Sequence, residues 1–123
     1  MRFYLLILVV TVLMSCKNDP PHLPDPLEAG WKGESVCEVI EENDRVRTLK
    51  CTFAPGVGHE KHYHVRHYGY TLKGGTFKIT DSTGTRTVDV PGGYSFYKDQ
   101  LTEHEVLNVG TDTAQFLIVE LLD

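Results

Sequence analysis

Residues 55–74 read PGVGHEKHYHVRHYGYTLKG, and this stretch carries four of the six histidines of the chain. His62 and His64 are two positions apart, among aromatic and β-branched residues. Successive side chains of a β-strand alternate between its faces, so these imidazoles should point the same way, roughly 6–7 Å apart. Two imidazoles on one face can ligate a divalent metal ion at about 2.0–2.2 Å each. Alone, the pattern is short and common, and a polar surface strand is the simpler interpretation.

A second segment strengthens the metal-site interpretation. Pro91-Gly92-Gly93 breaks the chain, and His104-Glu105-Val106-Leu107-Asn108 opens a late strand. A β-barrel can bring such a strand beside the first pair of histidines, although the two segments are far apart in sequence.

The whole domain follows a strand pattern, because no segment from Val36 onward places apolar residues at helical spacing for three turns. Short β-branched and aromatic runs are separated by Gly, Pro, Asn and Asp. About nine strands are predicted: Val36–Ile40, Val46–Phe53, Lys61–Val65, Tyr68–Leu72, Thr76–Thr80, Thr85–Val90, Tyr94–Tyr97, Glu103–Asn108 and Thr113–Leu121. This number and spacing predict an all-β sandwich or jelly-roll barrel.

Two cysteines lie on the strands of the first predicted hairpin. Leu49, Cys51 and Phe53 alternate with polar residues, which places Cys51 on the apolar face. If the hairpin is centred on Asp44, Cys37 lies opposite Cys51, about 4.5–5.5 Å away and within reach of a disulfide. Two buried free thiols are the alternative, and a one-residue slip in register would place the cysteines on opposite faces.

Nearly the whole domain, roughly residues 35–122, resembles the cupins. The resemblance rests on two motifs: Pro55-Gly56, His62-Tyr63-His64 and Tyr70-Thr71-Leu72-Lys73-Gly74 for the first, and Gly93, His104 and Asn108 for the second. It implies a cupin-type jelly-roll β-barrel (a double-stranded β-helix) that holds a divalent metal ion through His62, His64 and His104, with His67 as a fourth ligand. The second motif lacks its usual Pro and Gly, because Asp99 and Leu101 stand there.

The first motif also lacks the Glu that is usual in the family. Counting back from Tyr70 and Gly74 places this position at His67. Counting forward from His64, with three residues between, places it at Tyr68 instead. His67 has the opposite strand parity to His62 and His64, so it would reach the same metal only through a bulge or a twist. His59 is expected to lie outside the ligand set, solvated at the mouth of the barrel.

The N-terminus resembles an export signal. Residues 3–14 are almost all apolar, but they are too few to span a hydrocarbon core of roughly 30 Å. Leu13-Met14-Ser15-Cys16 resembles a bacterial lipobox, which implies that residues 1–15 are a lipoprotein signal peptide and that Cys16 carries the lipid. A plain cleaved signal followed by a soluble protein is the alternative.

Residues 16–33 hold four of the six prolines and little that could pack, which predicts a semi-extended tether. Residues 34–123 then form the barrel domain. Several acyl chains hold a protein stably on a membrane. The sequence therefore predicts a protein anchored by lipid to the bacterial cell envelope, on its periplasmic or extracellular face.

Composition and charge exclude several functions. The formal charge is −5 and no Lys/Arg stripe stands out, which argues against a nucleic-acid-binding surface. The sequence has no nucleophile elbow, catalytic-triad signature or phosphate-binding loop.

An all-histidine shell is neutral, so a bound metal would keep its charge and attract a small anionic or enolisable molecule. Imidazole ligands suit Fe, Zn, Mn, Ni or Cu, and affinity alone does not choose among them.

Three functional interpretations remain open. The chain could be a metal-dependent enzyme such as an oxygenase or isomerase, a non-catalytic metal- or ligand-binding module of the envelope, or a cupin whose histidines are vestigial. Glu60, Tyr68, Tyr70 and Glu103 lie near the predicted ligands, but none of them is assigned a catalytic role. A homodimer formed through edge strands is a further expectation from the family.

Overall fold

The computed structural model describes residues 22–123, so the predicted signal peptide, Cys16 and the first part of the predicted tether lie outside the described residues. Eleven strands follow one another: β1 (Gly30–Trp31), β2 (Glu34–Ser35), β3 (Cys37–Glu42), β4 (Val46–Phe53), β5 (Gly58–His64), β6 (His67–Lys73), β7 (Gly75–Asp81), β8 (Gly84–Val90), β9 (Ser95–Lys98), β10 (Thr102–Asn108) and β11 (Ala114–Leu121). Within these residues there is no helix long and apolar enough to cross a membrane.

Two antiparallel sheets form the walls of a jelly-roll barrel, which confirms the predicted fold class. One has the strand order β5-β10-β7-β8 and the other β3-β4-β11-β6-β9. The nine predicted strands correspond to β3–β11. The sequence pattern missed the short hairpin β1-β2, whose strands have only two residues each.

The core lies between the sheets and follows the alternation of β4. Leu49, Cys51 and Phe53 are buried, as their parity predicts. Cys37 pairs with Cys51 across β3 and β4, and the two sulfur atoms form a disulfide with a Cα–Cα distance of 4.0 Å. The hairpin is less regular than a register centred on Asp44, because a bulge interrupts the pairing nearer the turn.

The second half of the predicted tether packs on the barrel, where the sequence analysis expected little to pack. Residues 22–31, which we call the N-terminal strap, bury Pro26 and Ala29. The Tyr63 amide donates a hydrogen bond to the Pro24 carbonyl at 3.1 Å. Tyr63 belongs to β5, an edge strand of its sheet. An uncovered edge leaves backbone groups without partners, and the strap supplies one of these partners.

Candidate metal centre

Three histidine side chains converge on the inner face of β5 and β10. His62 pairs with His104 across the two strands, and His64 pairs with Thr102. The Nε2 atom of His62 lies 2.9 Å from Nε2 of His64 and 3.2 Å from Nε2 of His104. Ligand atoms of these three residues all lie within 4.8 Å of one another, so small side-chain adjustments would bring all three around one metal ion.

The hydrogen bonding of His62 suits it to act as a ligand. Its Nδ1–H donates to the Glu60 carbonyl oxygen at 2.6 Å, which leaves the lone pair of Nε2 directed at His64 and His104. Two ligand nitrogens at right angles around a metal, each about 2.1 Å away, would be about 3.0 Å apart. The two spacings measured from His62 are close to this value, so the donor set fits a divalent transition metal.

Burial keeps these imidazoles neutral. Desolvation, reinforced by the neighbouring histidines, lowers the pKa of His104 to about 2. The same causes lower the pKa of His64 well below its ordinary value. Burial also lowers the pKa of His62, although the charges of Glu120 and Asp25 oppose the effect. A neutral imidazole is the form that binds metal, so the cluster needs no proton release at neutral pH.

His67 lies beside the three-histidine cluster but is not one of its members. Its ring centroid is 4.7 Å from that of His64, and its Nδ1–H donates to the Val65 carbonyl at 2.7 Å. The parity argument does not apply, because the chain leaves one sheet after His64 and enters the other at His67. Of the two candidate positions for the missing Glu, His67 is buried in the barrel, whereas Tyr68 is 41% exposed. His67 stays a predicted fourth ligand.

The expected solvated position of His59 was wrong, because this side chain is only 2% exposed, although His59 lies outside the three-histidine group that could hold a metal. Its ring stacks on that of His62 with centroids 3.7 Å apart, and its Nε2–H donates to the Pro26 carbonyl at 3.0 Å. Alternation along a regular strand would turn His59 away from His62. Instead, two residues of β5 oppose one residue of β10 between these positions, and this bulge turns both histidines inward.

Sequence reasoning missed a buried carboxylate behind the cluster. Glu120 of β11 is 1% exposed, and its Oε2 accepts a hydrogen bond from Nε of Arg47 at 2.7 Å. The other carboxylate oxygen lies 3.7 Å from Nδ1 of His64. Arg47 also contacts Asp25 of the strap at 3.2 Å. The available signal was a charged residue at the same parity as buried Ala114 and Ile118 in a mostly apolar strand.

These three charged side chains change the predicted electrostatics of the site. A shell made only of histidines would be neutral, but two carboxylates and one guanidinium behind it carry a net charge of −1. Asp25 has a lowered pKa, because hydrogen bonds from two backbone amides and from Arg47 outweigh the effect of burial. The negative charge favours a bound cation and offsets part of its attraction for an anionic ligand.

The side chains considered for proton transfer do not surround the cluster. Glu60 is exposed, and its carboxylate accepts a hydrogen bond from the Lys32 amide at 3.2 Å. Tyr68 and Tyr70 are exposed on β6. Only Glu103 lines the barrel cavity, so the structure gives no reason to assign a catalytic role to the others.

The cluster opens into a cavity inside the barrel. The cavity has a volume of about 520 Å³, which is within the range of small-molecule sites. His64, His67 and His104 line it, together with apolar side chains such as Phe77 and Phe116. A metal held by the cluster would therefore face a space large enough for a small organic molecule.

No family model and no curated protein matches the chain. Several solved structures do match the chain in fold. A cupin domain from Bordetella pertussis aligns with 72% of this chain and 93% of its own, at a TM-score of 0.67 and 22% identity. The barrel has the cupin fold. The sequence resemblance to cupins therefore extends to the three-dimensional structure.

Two further structural neighbours have names that refer to enzymes. The polyketide cyclase RemF from Streptomyces resistomycificus has a TM-score of 0.58 and 20% identity over 71% of this chain and 64% of its own. A predicted oxalate decarboxylase from Thermotoga maritima has a TM-score of 0.54 and 20% identity over 71% of this chain and 79% of its own. At these identities the likeness concerns the fold.

Proposed function

We propose that this cupin-fold protein binds a divalent transition metal and uses it to bind and activate a small anionic or enolisable molecule. The observation that carries the proposal is the convergence of the Nε2 atoms of His62, His64 and His104 beside an internal cavity. Two fold neighbours, a polyketide cyclase and a predicted oxalate decarboxylase, add support for chemistry on small molecules.

The chain would contribute the imidazole ligands, keep them uncharged, and shield the bound ion from water. His62, His64 and His104 would hold the ion, with His67 beside them as a fourth ligand. Fe, Zn, Mn, Ni and Cu all suit this imidazole donor set. A bound ion would supply Lewis-acid polarisation of an oxygen on the ligand. Burial lowers the pKa of every ring in this set, so the donors stay unprotonated.

Elemental analysis of the purified full chain tests the metal site. We expect close to one equivalent of a first-row transition metal, and a loss of affinity of about 100-fold or more in His62→Ala and His104→Ala. His67→Ala should weaken binding by a smaller factor. His22→Ala is the control, because His22 is exposed on the strap. A chain that carries no metal and takes up none on titration would refute the proposal.

Activity assays would distinguish an enzyme from a non-catalytic binding module. With a redox-active metal, an oxygenase should consume oxygen in the presence of an enolisable acid, and an isomerase should exchange the acidic C–H proton for deuterium. Loss of both activities in His104→Ala would assign them to the site. A metal-loaded chain that binds such acids without either activity would be the non-catalytic envelope module.

We further propose that lipid on Cys16 anchors the mature chain to the cell envelope. The support is the lipobox-like sequence that ends in Cys16, followed by a proline-rich segment that leads to the strap. Cys16→Ala should abolish labelling by a radioactive fatty acid and release the protein from the membrane fraction. Labelling that survives this substitution would refute the anchor.

A further inference from the structure

Large apolar side chains face the cavity without being fully buried. Six of them pack on the buried core and also line the cavity: Ile79, Val88, Val90, Phe96, Val106 and Phe116. The strand pairing shows that these side chains point inward, because residues paired across two strands share one face of the sheet. Val88 pairs with buried Phe77, and Phe116 pairs with buried Cys51. A molecule with an apolar body would complete the burial of these side chains and gain the corresponding hydrophobic free energy.

The inward side chains of β10 show where the polar and the apolar parts of the cavity lining lie. Thr102, His104 and Val106 line the cavity in order along the strand. Alternate residues of a strand are roughly 6.5–7 Å apart, so the apolar zone begins one such step from the histidine cluster. Val106 pairs with Ile79 of the neighbouring strand, which extends this zone across the sheet.

The end of the cavity near the cluster can accept a negative charge. Lys98 pairs with His67 in the register of β6 and β9, and it lines the cavity. Among the described residues Lys98 forms no ion pair, whereas Arg86, the other cation of the lining, contacts Asp81 at 2.8 Å. The cavity thus combines histidines, the amine of Lys98 and the carboxylate of Glu103 at one end with hydrocarbon at the next level.

We infer that the ligand of this site has two parts, an anionic or enolisable oxygen head and an apolar, ring-sized body. The inference rests on the proposed metal function and narrows its substrate class. The head lies at the level of His104 and Lys98, and the body lies against Val106, Val88 and Phe116. A small, wholly polar acid would leave the apolar lining exposed to water.

A pair of 2-oxo acids tests this inference, because phenylpyruvate and pyruvate share one head and differ in the ring. Both are titrated by calorimetry into the detergent-solubilised, Zn²⁺-loaded full chain, with a protein-free detergent blank. Phenylpyruvate should bind about tenfold tighter or more, because its ring is removed from water. The variant Val88→Thr/Val90→Thr keeps the shape of the lining but adds hydroxyls, and should reduce this ratio by about threefold or more.

Each outcome of the titration has one meaning. Thr87→Val is the matched control, because Thr87 is exposed on the same strand directly before Val88, and it should leave the ratio unchanged. Retained Zn²⁺ with equal binding of the two acids, with binding of neither acid, or with an unchanged ratio in the double variant overturns the inference but not the metal site. Failure to retain Zn²⁺ refutes the proposed function, and the inference with it.

Discussion

At the scale of single residues, Glu120 should position His64 for metal binding. Its carboxylate is buried 3.7 Å from Nδ1 of His64, an atom that has no hydrogen-bond partner among the described residues. A carboxylate behind a histidine fixes the tautomer that presents Nε2 to a metal, and its loss typically costs 10–100-fold in affinity. We therefore expect Glu120→Leu/Arg47→Met to bind Zn²⁺ about 10–100-fold more weakly. Removing both partners avoids leaving one buried charge alone.

Two measurements separate positioning from general structural support. Nitrogen-15 NMR of the histidines in the Zn²⁺-loaded chain should show the proton of His64 on Nδ1, and the double variant should change the Nδ1 signal. Glu38→Leu/Lys50→Met is the control, because it removes an ion pair of 3.1 Å that lies on the solvent side of the same sheet. Equal zinc affinity and an unchanged Nδ1 signal of His64 in the Glu120 variant would show that the carboxylate is not a positioning residue.

Sequence alone could predict the three-histidine cluster but not the residues that support it. Strand alternation is local, and it correctly placed His62 and His64 on one face. Glu120 meets its partners only because β11 lies between β4 and β6. Its register brings it opposite both Arg47 and His67, and no local pattern contains that information.

At the scale of strands, β6 depends on a glycine to make room for an aromatic ring. Gly69 pairs with Phe96 of β9, and a Cβ atom on Gly69 would overlap the Phe96 ring. That ring also contacts His67 at a centroid distance of 5.9 Å. Gly69→Ala should displace Phe96, lower the free energy of unfolding by about 1–3 kcal/mol and weaken phenylpyruvate binding.

Chemical denaturation and calorimetry would check this prediction. Gly92→Ala is the control, because its added Cβ would meet no atom closer than 3.8 Å. Phe96→Val in the Gly69→Ala background should restore stability by making room for the new methyl group. If Gly69→Ala unfolds at the same denaturant concentration as the unaltered chain, the strands adjust more readily than this packing implies.

The limits of strands were harder to predict than their existence. Residues 54–58 looked like a break, and β5 was expected to begin at Lys61, but it begins at Gly58. The bulge in β5 has no signature in the amino-acid sequence, since it depends on pairing with β10. This single irregularity moved His59 from the expected solvated position into the centre of the site.

Across the protein as a whole, the N-terminal strap is linked to the three-histidine cluster by two routes. Asp25 contacts Arg47, which contacts Glu120 behind His64. The carbonyl of Pro26 accepts a hydrogen bond from His59, which stacks on His62. The proline-rich composition predicted an extended segment. The strap is held partly by a backbone carbonyl, however, and every residue has one, so composition does not show which residue will make this contact. For this reason the docking of the strap could not be predicted from composition.

The buried histidines should make the metal-free protein sensitive to acid. Each has an ordinary pKa of 6.5, and burial lowers it in the folded state, to about 4 for His59 and about 2 for His104. The unfolded chain therefore binds more protons below pH 6.5, and the free energy of unfolding falls as the pH falls through this window. Each such histidine costs up to about 1.4 kcal/mol of stability per pH unit there. The lowered pKa of Asp25 acts only below its ordinary value of 3.8.

Urea unfolding of the chelator-treated full chain at pH 7 and pH 5 measures this effect. We expect the free energy of unfolding to fall by several kcal/mol, with His59 and His104 together contributing about 4 kcal/mol. His59→Gln should lose less stability than the unaltered chain over the same interval, because it has one buried titrating ring fewer. Saturating Zn²⁺ should reduce the loss at pH 5, since the metal binds the folded, neutral rings. A free energy of unfolding that is equal at the two pH values would mean that the rings titrate in the folded barrel as they do in the unfolded chain.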